Sequence, residues 1–291
     1  MNMRSPIKIA ILLLIASAAQ AQEMQDTTGI NYRYKQKYDF VTMPDTIYTF
    51  QSEFKLPEGF QHADSLWLTD FQNYVSNFPI WHKGMKVGSF RKKIIYQKTE
   101  ISRPVHLPYN GPAFTDKAMP IRILAEYLHD RNREKEFSII PNAGEIMTYD
   151  KWLANDITYG PGKSVQFNVP REKEANLSEY YTFMRFCLEN TAYPSLARNC
   201  DSILASDARP GDLFVAHSEN GKDGVVYVIL HMIVNASDDK LYAVATGCKE
   251  ACDFHIPLFN NDKNNPWITP REIAELGGNF PQRAFLRFKI H

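Results

Sequence analysis

Val225-Val-Tyr-Val-Ile-Leu-His-Met-Ile-Val234 is the stretch of sequence that decides the fold. It is almost wholly apolar and rich in β-branched residues, which is typical of a strand buried on both faces. Apolar runs at residues 213–216 and 241–246 flank it, and Ser237-Asp238-Asp239 supplies turn residues before the second run. The C-terminal half is therefore predicted to form an antiparallel meander.

Upstream of the meander, apolar residues recur every three or four positions in three segments, which indicates amphipathic helices. The segments are residues 65–77, 119–131 and 178–189. Asp64 or Ser65 is the expected cap of the first helix, Ser178 that of the third, and Pro120 suits the first turn of the second. Pro194 should interrupt any continuation of the third helix.

Shorter alternating segments complete the pattern, with strands expected within residues 86–100, 137–140 and 283–290. Residues 22–54 lack a clear period and are predicted to form an extended lead-in or an edge strand with a frayed start. Without internal repeats or a low-complexity linker, the simplest architecture is a single α+β domain over residues 55–291.

The first twenty-one residues predict a secretory signal peptide. Arg4 and Lys8 lie in a short basic lead, residues 9–19 are uncharged, and Ala19-Gln20-Ala21 offers small residues for cleavage. The apolar run is about half the roughly 20 residues of a membrane span. We expect an exported protein, periplasmic or extracellular, with no membrane span.

Charge excludes nucleic acid as a partner class. The chain has 33 basic and 33 acidic residues, and removal of Arg4 and Lys8 leaves 31 against 33, a net charge of −2. No basic patch of the kind that binds nucleic acid is evident. The aromatic cluster Tyr180, Tyr181, Phe183 and Phe186 is interpreted as core, in preference to a sugar-stacking platform. A hydrophobic content of 44% predicts folding without a cofactor.

The four cysteines, Cys187, Cys200, Cys248 and Cys252, lie in the last 105 residues. An even number in an exported chain predicts disulfides, although three pairings are open. Cys248, Cys252 and His255 also have a C-x3-C-x2-H spacing that three zinc ligands could use. Because this spacing fits no standard zinc pattern and no fourth ligand is evident, no metal is predicted.

Several blocks, in this order, resemble a family of secreted bacterial proteins known as domain of unknown function 4846. The blocks are Leu56-Pro-Glu-Gly-Phe60, the 71–80 helix with its Pro79, Arg122-Ile-Leu-Ala-Glu-Tyr-Leu128, residues 137–152, Pro210-Gly-Asp-Leu-Phe214 and Pro266-Trp267. They extend over nearly the whole mature chain, so the resemblance implies that one family accounts for residues 55–291.

The Gly-Asp block before a long strand is also similar to NlpC-type and papain-like cell-wall peptidases. That resemblance implies a papain/NlpC-like scaffold with a nucleophilic cysteine before the second helix and a histidine opening the strand. Here those positions hold Asp116 and Val225. A carboxylate is a poor substitute for a thiolate and valine cannot accept a proton, so catalysis of that type is not expected.

The remaining candidate site residues are polar groups near element ends. Asp212, after Pro210-Gly211, is interpreted first as a turn former and second as a catalytic residue. His217 and His255 lie near strand ends beside polar residues and are candidate bases, with surface residues as the alternative. His231, within an apolar strand, is interpreted as a hydrogen-bonded core histidine.

Arg122 and Glu126 are four residues apart on one helix. Such spacing predicts an ion pair, either solvated or at a pocket rim, and worth about 0.2 to 0.5 kcal/mol.

Three hypotheses follow for function. The first is a non-catalytic exported protein on a cysteine-peptidase-like scaffold that binds cell-wall or other glycan fragments. The second is an active hydrolase of cell-wall peptides or amides that uses a non-standard set, such as Cys248 or Asp116 with His255. The third is an interaction partner of another envelope protein.

Overall fold

The computed structural model describes residues 48–96, 101–107, 111–142, 144–158, 166–170, 172–259 and 261–290. The predicted signal peptide lies outside these residues, as do residues 22–47 of the predicted lead-in and the expected break at Gly160-Pro161-Gly162. Of the lead-in, Phe50–Glu53 form one helical turn that buries Phe50 in the core.

The helices are short and distributed along the whole described chain. They are α1 (Phe50–Glu53), α2 (Asp70–Ser76), α3 (Met119–Asp130), α4 (Tyr149–Ala154), α5 (Leu177–Glu189), α6 (Tyr193–Arg198) and α7 (Pro270–Glu275). Three 3-10 turns, Ser65–Trp67, Glu134–Glu136 and Ala205–Asp207, lie between them. In the described part of the chain, every helix is too short or too polar to cross a bilayer.

The strands are concentrated in the C-terminal half. They are β1 (Phe60–His62), β2 (Val87–Gly88), β3 (Ile94–Tyr96), β4 (Ile101–Pro104), β5 (Ser138–Ile139), β6 (Met147–Thr148), β7 (Asn155–Thr158), β8 (Gln166–Pro170), β9 (Cys200–Ile203), β10 (Leu213–His217), β11 (Gly224–Asn235), β12 (Lys240–Ala245), β13 (His255–Pro257) and β14 (Gln282–Phe288).

β11 is the centre of a six-stranded antiparallel sheet, as its sequence predicts. β10 pairs with its first half, β1 with its last residues, and β12 runs along its other side. The order continues from β10 to β14 and then to β9. The predicted meander of β10, β11 and β12 and the α+β class are therefore confirmed, and β14 adds a strand that is not its neighbour in sequence.

Two hydrophobic clusters cover the two faces of this sheet. Val226, Val228 and Leu230 of β11 belong to the larger cluster, which also contains buried residues of α2, α3 and α5. Ile229 and Met232 belong to the second cluster, with Ile273 of α7. A bulge between Ile229 and His231 shifts the register against β12. Beyond the bulge the alternation is inverted, so His231 faces the larger cluster and stacks on Phe50.

Local capping differs from the sequence prediction at two helices. The predicted helix over residues 65–77 is divided: Asp64 caps a 3-10 turn, and Thr69 starts α2 through a capping box with Gln72. α5 is capped by Asn176, not by Ser178. Each of these side chains accepts a hydrogen bond from a backbone N–H that the helix leaves without a partner.

The third helix is interrupted before Cys200, as predicted, since α5 ends at Glu189. Pro194 itself lies in the first turn of a new helix, α6, where the missing N–H costs nothing. α3 likewise begins at Met119 with Pro120 in its first turn, as predicted.

Candidate functional site

The loop that joins β12 to β13 brings together Cys248, Cys252 and His255. One ligand-type atom from each residue lies within 4.8 Å of the others. The bridges that hold the loop are Thr246 to His255 and Ser89 to Cys252. Cys252 and His255 are buried, whereas Cys248 is partly exposed, so the cluster has one side that faces solvent.

A backbone carbonyl sets the tautomer of His255. Its Nδ1 lies 2.8 Å from the carbonyl oxygen of Asp253, and the Sγ of Cys252 lies 3.3 Å from the same oxygen. Because a carbonyl oxygen can only accept, Nδ1 carries the proton and Nε2 keeps its lone pair. The ring is further held by Tyr96, with 5.0 Å between ring centroids.

Asp116 adjoins this cluster. Its backbone N–H donates to the carbonyl of Cys248 at 2.9 Å, and the hydroxyl of Tyr193 donates to its Oδ2 at 2.8 Å. Gly247 makes this approach possible, because a Cβ there would lie 3.0 Å from the Cα of Asp116. Asp116 is buried, three residues before the start of α3. The structure thus brings two predicted site residues, Asp116 and His255, to the same place.

Burial and hydrogen bonding shift the pKa values of these groups in different directions. A hydrogen bond from Cys252 lowers the pKa of the Cys248 thiol, and the same bond raises the pKa of Cys252. Burial raises the pKa of Asp116 and lowers that of His255 to about 4. At neutral pH the His255 ring is therefore neutral and can act as a ligand or hydrogen-bond acceptor.

Asp212 lies elsewhere and has a structural role. Its Oδ2 accepts from the backbone N–H of Arg209 at 2.7 Å, which confirms the turn interpretation. The sequence did not predict its second partner, Arg287 of β14, which donates to both carboxylate oxygens at 2.8 and 2.6 Å. Asp212 thus ties the turn before β10 to β14, next to a cavity of about 260 Å³.

The Arg122–Glu126 pair forms, but its predicted environment is wrong. Nε of Arg122 lies 3.3 Å from Glu126, and the two side chains are only 5% and 1% exposed. The guanidinium lies over the ring of Phe114, and the hydroxyl of Tyr181 donates to Glu126 at 3.0 Å. The pair is neither solvated nor on a pocket rim, because α5 and the segment before α3 cover it.

His217 and His231 are separate from the cluster. His217, at the end of β10, contacts the carbonyl of Ser218 at 2.7 Å. His231 is buried, as predicted, and its Nδ1 lies 2.7 Å from the Ser76 hydroxyl and 3.0 Å from the Ser76 carbonyl. Its Nε2 lies 2.9 Å from Nδ1 of His62.

The predicted disulfides are absent from the described residues, where all four cysteines are free thiols. Cys187 lies in the larger hydrophobic cluster on α5, and Cys200 lies on β9. Burial raises the pKa of both thiols, so they behave as small apolar core residues. The Sγ atoms of Cys248 and Cys252 lie within 4.8 Å of each other.

A preformed groove of about 480 Å³ lies on another part of the surface. Its walls are Glu53, Lys55, Leu56 and Pro57 on one side and Asp262, Asn264 and Asn265 on the other. The indole N–H of Trp267 holds the first wall, because it donates a hydrogen bond to the carbonyl of Lys55 at 3.0 Å. The Ser102 hydroxyl holds the second wall, because it donates a hydrogen bond to the carbonyl of Lys263 at 2.7 Å. No sequence pattern predicted this groove, although Asn264 and Asn265 lie in a recognisable polar loop.

Tyr193 and Asp253 were also missed. Tyr193 lies 77 positions from Asp116 in the sequence and donates a hydrogen bond to it. Asp253 contacts His255 through its backbone carbonyl and not through its side chain. No residue pattern marks either role.

The comparisons with known proteins identify one family. The family model of domain of unknown function (4846) matches residues 50–287, which include α1, the six-stranded sheet except for its residue Phe288, and the Cys248–Cys252–His255 cluster. No curated protein and no solved structure matches the chain. The relation to NlpC-type and papain-like peptidases therefore remains a prediction. By the extent of the match, the chain belongs to the family of domain of unknown function 4846.

Proposed function

We propose that this protein is an exported, non-catalytic binding protein for cell-wall glycan fragments, and that the groove between Lys55 and Asn264 is its binding site. The observation that carries the proposal is the groove itself. Its volume of about 480 Å³ lies within the roughly 300 to 1,000 Å³ usual for ligand sites.

The chemistry of the walls suits a fragment with hydroxyl, acetamido and charged groups. Asn264 and Asn265 offer both donors and acceptors, Asp262 accepts, and the ammonium of Lys55 attracts a carboxylate. Leu56 and Pro57 offer apolar surface to the carbon face of a sugar ring. Because the walls carry both signs of charge, a strongly anionic polymer is disfavoured.

The walls are also held in place before a ligand arrives. The guanidinium of Arg103 is buried and lies 3.4 Å from Glu53, and it donates to the carbonyl of Lys263 at 3.3 Å. Asn264 is positioned by its own N–H, which donates to Asp262 at 2.8 Å. A preformed groove loses little conformational entropy on binding.

The test is titration of the mature chain with soluble muropeptides and with neutral oligosaccharides, together with sedimentation on insoluble peptidoglycan. Muropeptides should bind, and the double variant Lys55→Ala, Asn264→Ala should bind at least about tenfold more weakly, since one charged hydrogen bond is worth about 1.5 kcal/mol or more. Lys135→Ala, an exposed lysine outside the groove, is the control and should bind normally. Absence of binding at millimolar ligand would contradict the proposal.

A second candidate function is hydrolysis of cell-wall peptides or amides, and the gathering of Asp116, Cys248 and His255 favours it. Chromatography of the same incubations would show new products. If products appear, Cys248→Ser should abolish a thiol-based reaction and Asp116→Asn a carboxylate-based one. Turnover that is unchanged in both variants would exclude this site.

Export itself is proposed from residues 1–21. In the native host, fractionation should place the protein outside the inner membrane, and its N-terminal residue should be Gln22. A cytoplasmic chain that begins at Met1 would overturn this part of the proposal.

A further inference from the structure

A metal site is the further function that the structure supports, independently of the groove. Among the described residues, Cys248, Cys252 and His255 are the one group of three or more potential ligands within 4.8 Å of each other. All three come from eight consecutive residues. A cation bound there would close one short loop and would not have to recruit distant segments.

The ligand types define the class of cation. Thiolate and imidazole are soft to borderline ligands, which zinc accepts in tetrahedral geometry, whereas calcium and magnesium require oxygen ligands. The hydrogen bond from Nδ1 of His255 to the Asp253 carbonyl is the outer contact that zinc-bound histidines usually make through their second nitrogen. Because Nδ1 is used in this hydrogen bond, the lone pair on Nε2 is the one that can bind the cation.

The surrounding charges also favour a cation. The carboxyl groups of Asp116 and Asp253 act on both thiols through space. The ammonium of Lys249, the residue after Cys248, is held 2.6 Å from Asp223. With two thiolates and one divalent ion the cluster has no net charge, whereas two adjacent thiolates without a cation, one of them buried, would be costly.

We propose that Cys248, Cys252 and the imidazole of His255 bind one zinc ion, with a water molecule as the fourth ligand on the partly exposed side of Cys248. Binding forms two Zn–S bonds and one Zn–N bond and releases the two thiol protons to solvent. The ion would cross-link the loop between β12 and β13 and, through the bridge from Cys252 to Ser89, the hairpin of β2 and β3. Three protein ligands and one water are the arrangement in which zinc keeps an exchangeable position.

A Cys248–Cys252 disulfide is the alternative state, and the two states exclude each other, since oxidation removes both thiolates. The experiment therefore begins with the mature protein, fully reduced and freed of metal, under anaerobic conditions. Zinc is titrated against a chromophoric chelator, and cobalt is used as a spectroscopic probe. We expect one zinc per chain and a cobalt spectrum with thiolate charge-transfer bands and the intense visible bands of tetrahedral geometry.

Cys252→Ser and His255→Ala each remove a direct ligand. Each should lower the zinc affinity by more than the roughly 10- to 100-fold that follows when only a hydrogen-bond partner of a ligand is removed. Cys200→Ala removes a buried thiol elsewhere and should leave binding unchanged. Circular dichroism of each variant separates loss of binding from loss of fold. Failure of the reduced wild-type protein to bind zinc would overturn the proposal, as would equal binding by Cys252→Ser or octahedral cobalt without thiolate bands.

Discussion

At the scale of single residues, His231 shows how a buried histidine is held neutral. Because the Ser76 carbonyl can only accept, Nδ1 of His231 carries the proton, and Nε2 accepts from Nδ1 of His62. Burial, reinforced by the neighbouring His62, lowers the pKa of His231 to about 3. The imidazole thus connects α2 to β11 and β1 without a charge.

The pH dependence of stability follows from this pKa. The unfolded chain protonates its histidines near pH 6.5, whereas folded His231 resists protonation down to about pH 3. The contribution of His231 to the free energy of unfolding is therefore complete above about pH 6.5. It falls as the pH decreases toward 3, by at most about 1.4 kcal/mol per pH unit. His255, with a pKa of about 4, acts in the same direction.

Urea unfolding between pH 7 and pH 4 measures this effect. His231→Gln should reduce the slope of stability against pH, and should cost about 1 to 3 kcal/mol at pH 7 because Ser76 and His62 lose a partner. Equal slopes in the variant and the wild type would show that His231 does not resist protonation in the fold.

At the scale of elements, α3 shows what a periodic pattern predicts and what it leaves open. The spacing of Ile121, Leu124 and Leu128 predicted a helix over residues 119–131, and the observed helix, Met119–Asp130, is one residue shorter. The same pattern placed Arg122 and Glu126 on polar faces. Periodicity shows only which residues share a face of the helix. It does not show that α5 and Phe114 cover the face that bears Arg122 and Glu126.

Removal of Glu126 should be far more costly than an i,i+4 surface pair suggests. Glu126→Ala leaves the Arg122 guanidinium buried without its carboxylate, and we expect a loss of about 3 to 5 kcal/mol in the free energy of unfolding. Glu136→Ala breaks the exposed pair with Arg133 in the same region and should change stability little. Similar losses in the two variants, measured by urea unfolding, would contradict the buried pair.

At the scale of the whole molecule, the sequence predicted the central meander of the sheet but not the complete sheet or the complete site. β10, β11 and β12 are neighbours in sequence, and therefore apolar runs and turn residues were sufficient to predict their pairing. The candidate site joins Asp116, Tyr193 and the 248–255 loop, which only the packing of the complete chain brings together. The C-x3-C-x2-H spacing did group Cys248, Cys252 and His255, and Asp116 was paired with His255 only as a hypothesis, since no local pattern shows that a residue 139 positions away lies beside them.

The positions of the four thiols give a further prediction. In the reduced native protein, alkylation should modify Cys248 first, because it is partly exposed and its pKa is lowered. Cys187 and Cys200 should react only after denaturation, since both are buried and burial raises their pKa values. Mass spectrometry of timed samples would show the order, and early labelling of Cys187 would contradict the packing of α5.

The order of strands in the sheet constrains when the protein can fold. β14, which ends three residues before the C-terminus, lies between β10 and β9, and in the described structure β9 pairs with β14. β9 therefore has no partner in the sheet until β14, about 80 residues later in the sequence, has been synthesised. Pairing across about 80 residues is slow, because a long loop must close first. A chain that cannot complete its sheet early stays unfolded longer, and such a delay is compatible with the export that we propose from residues 1–21.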